Sequence, residues 1–280
     1  MRQKLGIIQV RGLGDCVIIL PIAKYYHNQG FDVYIALDDR FCESFQAAAP
    51  YCTFVPVPYS AFDPKMGIYN RYWYELPHEL LTKQGCTTIM SFPQHESIIM
   101  TKNPESEVSR LLKHRVEGLY ESIAYNTQVF KHLKFDEYKY SVAQVPLKEK
   151  WNLDITRNLE REQALYDKLV DKSKIQIVAH LDGSNIKIDP NNIQYDKDKF
   201  QLIVITKDHT DSIFDWLTIM EKANTLMLID SVFFNLAEQL NFNNNEKHFI
   251  RRSPIESTPV MGNHWKWIGI NVPDHNTLFG

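Results

Sequence analysis

Apolar residues in this chain fall into short, nearly continuous runs that alternate with longer stretches where they recur every three or four positions. Runs rich in β-branched residues and bounded by Gly, Pro or polar clusters predict buried parallel strands, and the longer period predicts helices between them. The first run, Leu5-Gly-Ile-Ile-Gln-Val10, leads through Arg11-Gly-Leu-Gly-Asp15 into an apolar segment of helical length, Cys16 to Tyr26. That is strand, tight loop, helix. Gly30 stops the helix and Phe31 to Leu37 supplies a second strand, so the unit should cross over right-handed onto a parallel sheet. A helix from Arg40 to Ala49 ends at Pro50. The strand that follows, Thr53 to Val57, contains Pro56, which suits an edge. Thr87 to Phe92 predicts another strand, and Glu105 to Lys134 reads as a long helix with apolar positions from Val108 through Phe130.

The alternation restarts after a linker expected at Val145 to Lys150. A charged helix spans about Asn158 to Lys172, and strands follow at Ile175–His180, Lys199–Thr206, Thr225–Ile229 and Lys247–Ile250. Helices are expected up to Ala223 and from Val232 to Leu240. Between Ile186 and Asp198, Pro190 and polar residues stand where a helix would normally cross over, so this half should be reduced. The pattern predicts an α/β fold of two Rossmann-like lobes with a cleft between them, the second lobe smaller. The expected boundaries are 1–150 for the first lobe, 151–262 for the second, and 263–280 for a tail, including His264-Trp-Lys-Trp267, that packs back on the first lobe.

Composition narrows the class. The 280 residues are 44% hydrophobic, enough for real cores, and a net charge of −3 argues against a binder that holds nucleic acid by phosphate neutralisation alone. The four cysteines, Cys16, Cys42, Cys52 and Cys86, show neither C-x-x-C nor zinc-finger spacing, so they predict free thiols in a reducing compartment and no metal site. No apolar run approaches the roughly 20 residues of a membrane span, and Arg11 and Asp15 interrupt any signal-peptide core. A soluble cytoplasmic protein is expected; oligomeric state is not readable. The aromatic stretch from Tyr59 through Phe62, Tyr69, Tyr72, Trp73 and Tyr74 suits a packed loop or helix better than a ligand platform. Arg110, Lys113, His114 and Arg115 line one face of the long helix, a solvated face or a basic patch for an acceptor.

Four junctions, Gly12–Asp15, His180–Asn185, Asp208–Ser212 and Asp230–Phe233, lie at the carboxyl ends of predicted strands, where open α/β sheets bind ligands. Facing lobes would bring them to one cleft. Gly12-Leu-Gly14 lacks the third glycine of a dinucleotide fingerprint, but Arg11, Gly12 and Gly14 let a ligand approach the backbone at a helix mouth. Asp15 stands at that mouth, a place that suits either chemistry on a charged or polyhydroxylated ligand or a plain N-cap. Asp196-Lys-Asp198 has the form of a metal-binding Asp-x-Asp but sits in a polar loop, and no Gly-x-Ser-x-Gly elbow occurs.

Taken together, the opening strand with Gly14-Asp15 and Pro21, and the later strand running into Asp230-Ser231 with Leu236-Ala237 in the next helix, resemble GT-B glycosyltransferases of the heptosyltransferase type, glycosyltransferase family 9. The resemblance spans both lobes. It implies an inverting transfer of sugar from a nucleotide sugar, with Asp15 as base toward the acceptor hydroxyl, the first lobe holding acceptor and the second donor. It implies a donor site at His180, Asp182, Gly183, Ser184, Asp208, Asp230, Ser231 and Asn235, and an acceptor loop at Arg11, Gly12 and Gly14. No metal or cofactor is implied; the nucleotide-diphosphate sugar is the co-substrate, and the helix start at Ser231 would hold its diphosphate. The chain departs from the family's pattern at Val232, where a glycine usually follows, and at Asn235, where a histidine usually stands. The acceptor would be a saccharide hydroxyl or a hydroxymethylated DNA base. A non-catalytic nucleotide-sugar-binding protein and a GT-B-like sugar-nucleotide epimerase are the alternatives.

Overall fold

The structure is a computed structural model that describes residues 2–63, 65, 71–92, 134–183, 186–251, 260–262 and 264–268. The chain divides into two compact units, Met1–Thr156 and Arg157–Gly280. Each carries its own parallel sheet, in the order β3-β2-β1-β4 in the first and β6-β5-β7-β8-β9 in the second.

In the first unit, β1 (Lys4–Ile8) lies between β2 (Asp32–Asp38) and β4 (Thr88–Ser91), and β3 (Cys52–Val57) takes the edge, where Pro56 removes no bond the sheet needs. Helix α1 (Leu13–Asn28) is buried at every residue from Cys16 to Ala23, as its unbroken apolar run requires. It closes with Gly30 at φ +92°, whose N–H reaches the His27 carbonyl at 2.9 Å while the Phe31 N–H reaches Tyr26 at 3.2 Å. Only glycine adopts that left-handed turn without strain. Helix α2 (Asp39–Ala48) is capped by Asp38, which accepts from the Arg40 N–H at 3.1 Å. Two further helices, α3 (Glu75–Lys83) and α4 (Phe135–Val142), complete the described part of the unit. Tyr140 of α4 donates to the Ile18 carbonyl at 3.1 Å and fastens α4 to α1.

The linker expected at Val145–Lys150 is instead packed. Val145 is buried, a 3-10 turn covers Leu147–Trp151, and Lys150 pairs with Asp136 at 2.6 Å with neither side chain exposed. The first unit therefore continues to Thr156, whose N–H bonds the Ala48 carbonyl at 2.7 Å, rather than ending at residue 150. The long helix expected from Glu105 to Lys134, with Arg110, Lys113, His114 and Arg115, lies outside the described residues, as do Tyr69, Ser184 and Asn185.

The second unit begins with α5 (Leu159–Leu169), capped by Asn158. Strands β5 (Ile175–His180), β6 (Phe200–Val204), β7 (Thr225–Ile229) and β8 (Glu246–Ile250) pair in parallel, with α6 (Leu217–Lys222) before β7 and α7 (Val232–Gln239) after it. Among the described residues between β5 and β6 there is no α-helix: an Asp182–Lys187 bridge and a 3-10 turn at Pro190–Asn192 lie there. This unit holds a cavity of about 580 Å³ lined by residues that include Ile177, Ile193, Tyr195, Phe200, Met227 and His248.

The expected tail is partly corrected. Trp265–Ile268, expected in the tail, forms β9, the edge strand beside β8 in the second unit's sheet. Trp265 is held there by its ring against Phe234 and its indole N–H to Glu238 at 2.6 Å. Residues 269–280 lie outside the described residues. Among the described residues, no helix is long and apolar enough to cross a membrane.

Candidate functional site

In the first unit the chain leaves β1 through Gln9 and Val10 and turns at Gly12, which has φ +80° and is the N-cap of α1. Asp15 is therefore not the cap. It sits in the first helical turn, where the dipole favours a carboxylate. Its carboxylate folds over Gly12 so closely that a methyl group on that glycine would overlap it. The Asp15 side chain is 11% exposed and faces the Lys139 ammonium of α4 at 3.5 Å, while Lys139 is 1% exposed. Lys139 also donates to Gln9 Oε1 at 3.0 Å and to the Phe92 carbonyl at 3.3 Å, and Gln9 Nε2 donates to the Arg11 carbonyl at 2.7 Å. Burial lowers the proton affinity of Lys139, and the Asp15 charge opposes that shift. Cys16, next to Asp15, is pushed well up by burial, so its thiol stays protonated.

Beside this loop, Arg11 stacks on an aromatic cluster, 4.5 Å from the Phe62 ring centroid, 5.8 Å from Tyr59 and 5.9 Å from Trp73. The aromatic run is thus packed, with Phe62 edge-on to Tyr72 and Trp73, and it carries a guanidinium. Arg40 lies 3.5 Å over the Tyr59 ring and grips Asp38 through Nε at 2.8 Å and Nη2 at 2.7 Å. Burial works to raise the Asp38 carboxyl, but the bonds from Arg40 and from Tyr72, at 2.7 Å, overcome it and hold Asp38 below the usual carboxylate range. Arg40 is committed to that carboxylate. Among the described residues Arg11 has no carboxylate within 4.0 Å, and its guanidinium lies over the Phe62 ring.

In the second unit, His180 ends β5 and its Nδ1 lies 2.9 Å from Ser231 Oγ, with the ring 4.7 Å from Phe233. Asp230 follows the end of β7, and Ser231 is the N-cap of α7 in an extended conformation, without a side-chain capping bond. The first-turn N–H groups of α7 are thus not taken by the serine hydroxyl, which His180 engages instead. Asn235 Nδ2 turns back to the Ser231 carbonyl at 3.1 Å, and Asn235 is 3% exposed, so its amide donor serves the helix. Asp182 is exposed and bridges to Lys187, and the Gly183 N–H closes the same turn on the Ile186 carbonyl at 2.8 Å. Asp208 is exposed at the end of the β6 loop. Its neighbours are structural: Arg161 binds Asp211, Asp215 and Thr210, and Ser212 accepts from the Phe214 N–H at 3.3 Å. The Asp196 carboxylate accepts from the Asp198 N–H at 3.0 Å, making a local turn of the Asp-x-Asp sequence.

Each unit thus gathers its own set. Arg11, Gly12, Gly14 and Asp15 meet at the mouth of α1, and His180, Asp230 and Ser231 meet at the mouth of α7. Asp208 belongs to the separate β6 loop. Sequence reasoning missed Gln9, Asp38, Arg40 and Lys139, which lock the first set in place.

No family model matches the chain, and no curated protein sequence matches it. Solved structures do. A glycosyl transferase family 9 protein of Veillonella parvula superposes with a TM-score of 0.59 at 11% identity, over 97% of this chain and 88% of its own. ADP-heptose lps heptosyltransferase II of E. coli gives 0.56 at 10% identity, over 96% and 91%. E. coli heptosyltransferase WaaC with ADP-2-deoxy-2-fluoro heptose gives 0.50 at 12%, over 99% and 96%. The fold is of the GT-B heptosyltransferase type. In GT-B terms the first unit is the amino-terminal lobe, opened by β1 and the Gly12 turn, and the second is the carboxyl-terminal lobe, reduced at the β5–β6 crossover. The junctions carrying Asp15 and Ser231 stand at the carboxyl ends of β1 and β7, where open parallel sheets receive ligands.

Proposed function

We propose that this GT-B chain transfers a sugar from a nucleoside-diphosphate sugar to a hydroxyl acceptor with inversion of configuration. The observation that carries the reading is Asp15: a mostly buried carboxylate at the mouth of α1, folded over the Gly12 turn and facing Lys139. In the proposed reaction, Asp15 takes the acceptor hydroxyl proton while that oxygen bonds to the anomeric carbon from the face opposite the leaving group. The bond from the anomeric carbon to the phosphate oxygen breaks, and the nucleoside diphosphate departs with the electron pair. The uncapped N–H groups at the start of α7 and the Ser231 hydroxyl would stabilise the developing charge on that diphosphate. His180, bonded to Ser231, would fix the hydroxyl and line the donor site.

Arg11 supports an acceptor bearing an anionic group near its reactive hydroxyl, and the net charge of −3 favours a saccharide over a DNA backbone as its carrier. Two of the similar structures are named for ADP-linked heptose, so ADP-sugars are the first donors to test. The test is release of nucleoside diphosphate from a panel of ADP-, UDP- and GDP-sugars, with and without acceptor saccharides and hydroxymethylated DNA. Asp15→Asn should lower acceptor-dependent turnover about 10²- to 10⁴-fold and leave the donor-induced rise in melting temperature intact. Donor binding without turnover on any acceptor would favour a binding protein. Acceptor-independent release of nucleotide that survives Asp15→Asn would favour an epimerase.

A further inference from the structure

The proposed base faces a buried ammonium. We infer that Lys139 is a positioning residue for Asp15: its buried ammonium fixes the carboxylate over the glycine turn, presents it ionised to the acceptor, and ties the same turn down through Gln9. The inference rests on the reading of Asp15 as base. A buried ammonium is unfavourable unless paired and hydrogen-bonded, and here its partners are specific ones: Asp15 Oδ1 at 3.5 Å, Gln9 Oε1 at 3.0 Å and the Phe92 carbonyl at 3.3 Å. Gln9 passes the restraint on, because its amide nitrogen bonds the Arg11 carbonyl at 2.7 Å at the entrance to the Gly12 turn. One ammonium therefore sets both the carboxylate and the loop beneath it.

The neighbouring charges are already matched elsewhere. Asp136, on the same helix, is neutralised by Lys150 at 2.6 Å, so it does not require Lys139. Asp38, from β2, is gripped by Arg40 and Tyr72. The thiols of Cys16 on α1 and Cys42 on α2 are both raised by burial, Cys42 to about 12, and stay neutral. Lys139 is thus a positive charge beside a mostly buried Asp15. Removing it takes away an attraction that favours the ionised carboxylate.

Asp15 can be titrated directly by carboxyl-carbon NMR on protein labelled at Asp, with Asp15→Asn identifying the resonance. In Lys139→Met the Asp15 midpoint should rise by about one unit or more, a tenfold change in ionisation. Asp15→Asn should in turn lower the midpoint of the Lys139 ammonium. Where Lys139→Met does not fold, that reciprocal measurement in Asp15→Asn decides alone. An Asp15 midpoint that stays put in a folded Lys139→Met protein, or a Lys139 midpoint that stays put in Asp15→Asn, overturns the inference. The turnover arm then separates the two readings. For a positioning residue, the acid limb of the kcat profile moves up with the Asp15 midpoint and Lys139→Arg restores part of the rate, whereas a purely structural loss lowers the rate equally at every pH. A midpoint that moves while the acid limb does not would overturn Asp15 as the base and Lys139 as its positioner, yet leave their ionic coupling intact.

Discussion

The mouths of α1 and α7 are built on the same plan, a parallel strand running through a short turn into a helix, yet they are held by opposite means. At α1 the turn is a left-handed glycine, and an acidic side chain in the first helical turn is pinned by a buried cation. At α7 the turn is an extended serine whose hydroxyl is drawn aside by a histidine, and no glycine follows. The first mouth displays a carboxylate. The second displays backbone N–H groups and a hydroxyl. The proposed base and the proposed anion cradle need these different faces, and one topology presents both because the side chains around the turn, rather than the strand and helix, decide what is presented.

The comparison is broken most severely by removing the buried charge that only the first lobe depends on. Asp136 and Lys150 face each other with both side chains at 0% exposure, and Asp136 shares α4 with Lys139. Lys150→Met leaves an uncompensated carboxylate in the interior and should cost about 3–5 kcal/mol in urea unfolding. Adding Asp136→Asn should recover most of that loss. A loss under about 1 kcal/mol for the single variant would show that the pair contributes little.

How much of this could be read from the amino acids differs between the two mouths as well. The strands and helices leading into both were legible, because β-branched runs such as Ile175–His180 and the Gly30 stop have local causes. That Gly12–Asp15 and Asp230–Ser231 stand between a strand end and a helix start was legible for the same reason. Lys139 was not: it meets Gln9 across 130 positions of chain, and in Phe135-Asp-Glu-Tyr-Lys139-Tyr-Ser-Val142 nothing in the spacing distinguishes a buried lysine from a solvated one. Arg40 and Asp38 were hidden likewise, since their roles depend on the Tyr59 and Tyr72 rings arriving from a different segment. β9 escaped because Trp-Lys-Trp-Ile is only four residues long, with an exposed central pair that resembles a tail. The linker at Val145–Lys150 failed for a related reason: charged residues suggested solvent, and the lysine was paired inside.

A smaller change sharpens the comparison at the glycine itself. Gly12→Ala places a side chain at φ +80°, which costs about 1–2 kcal/mol of stability, and its methyl group meets the Asp15 carboxylate, which must swing away from Lys139. Gly30→Ala is the control, because φ is +92° there and the space around it is open. Both should lose similar stability in urea, but only Gly12→Ala should also lose acceptor-dependent turnover. Equal turnover in the two would mean that the carboxylate does not need its place over the turn.

The smallest expected effect tests the second mouth. Ser231→Ala removes the bond to His180 but no helix cap, since the Ser231 side chain makes none, so stability should fall by no more than about 0.5–1.5 kcal/mol. The proposed donor site puts the same hydroxyl on the diphosphate, so donor affinity should drop by up to about tenfold, which is 1.4 kcal/mol, read from the donor concentration needed to raise the melting temperature. Backbone N–H groups at the start of α7 survive the substitution, which is why the loss stays modest. Asp15→Asn and Lys139→Met should leave that donor titration unchanged. If Ser231→Ala leaves it unchanged too, while Asp15→Asn weakens it, the donor belongs at the mouth of α1, and the two mouths exchange the roles assigned to them.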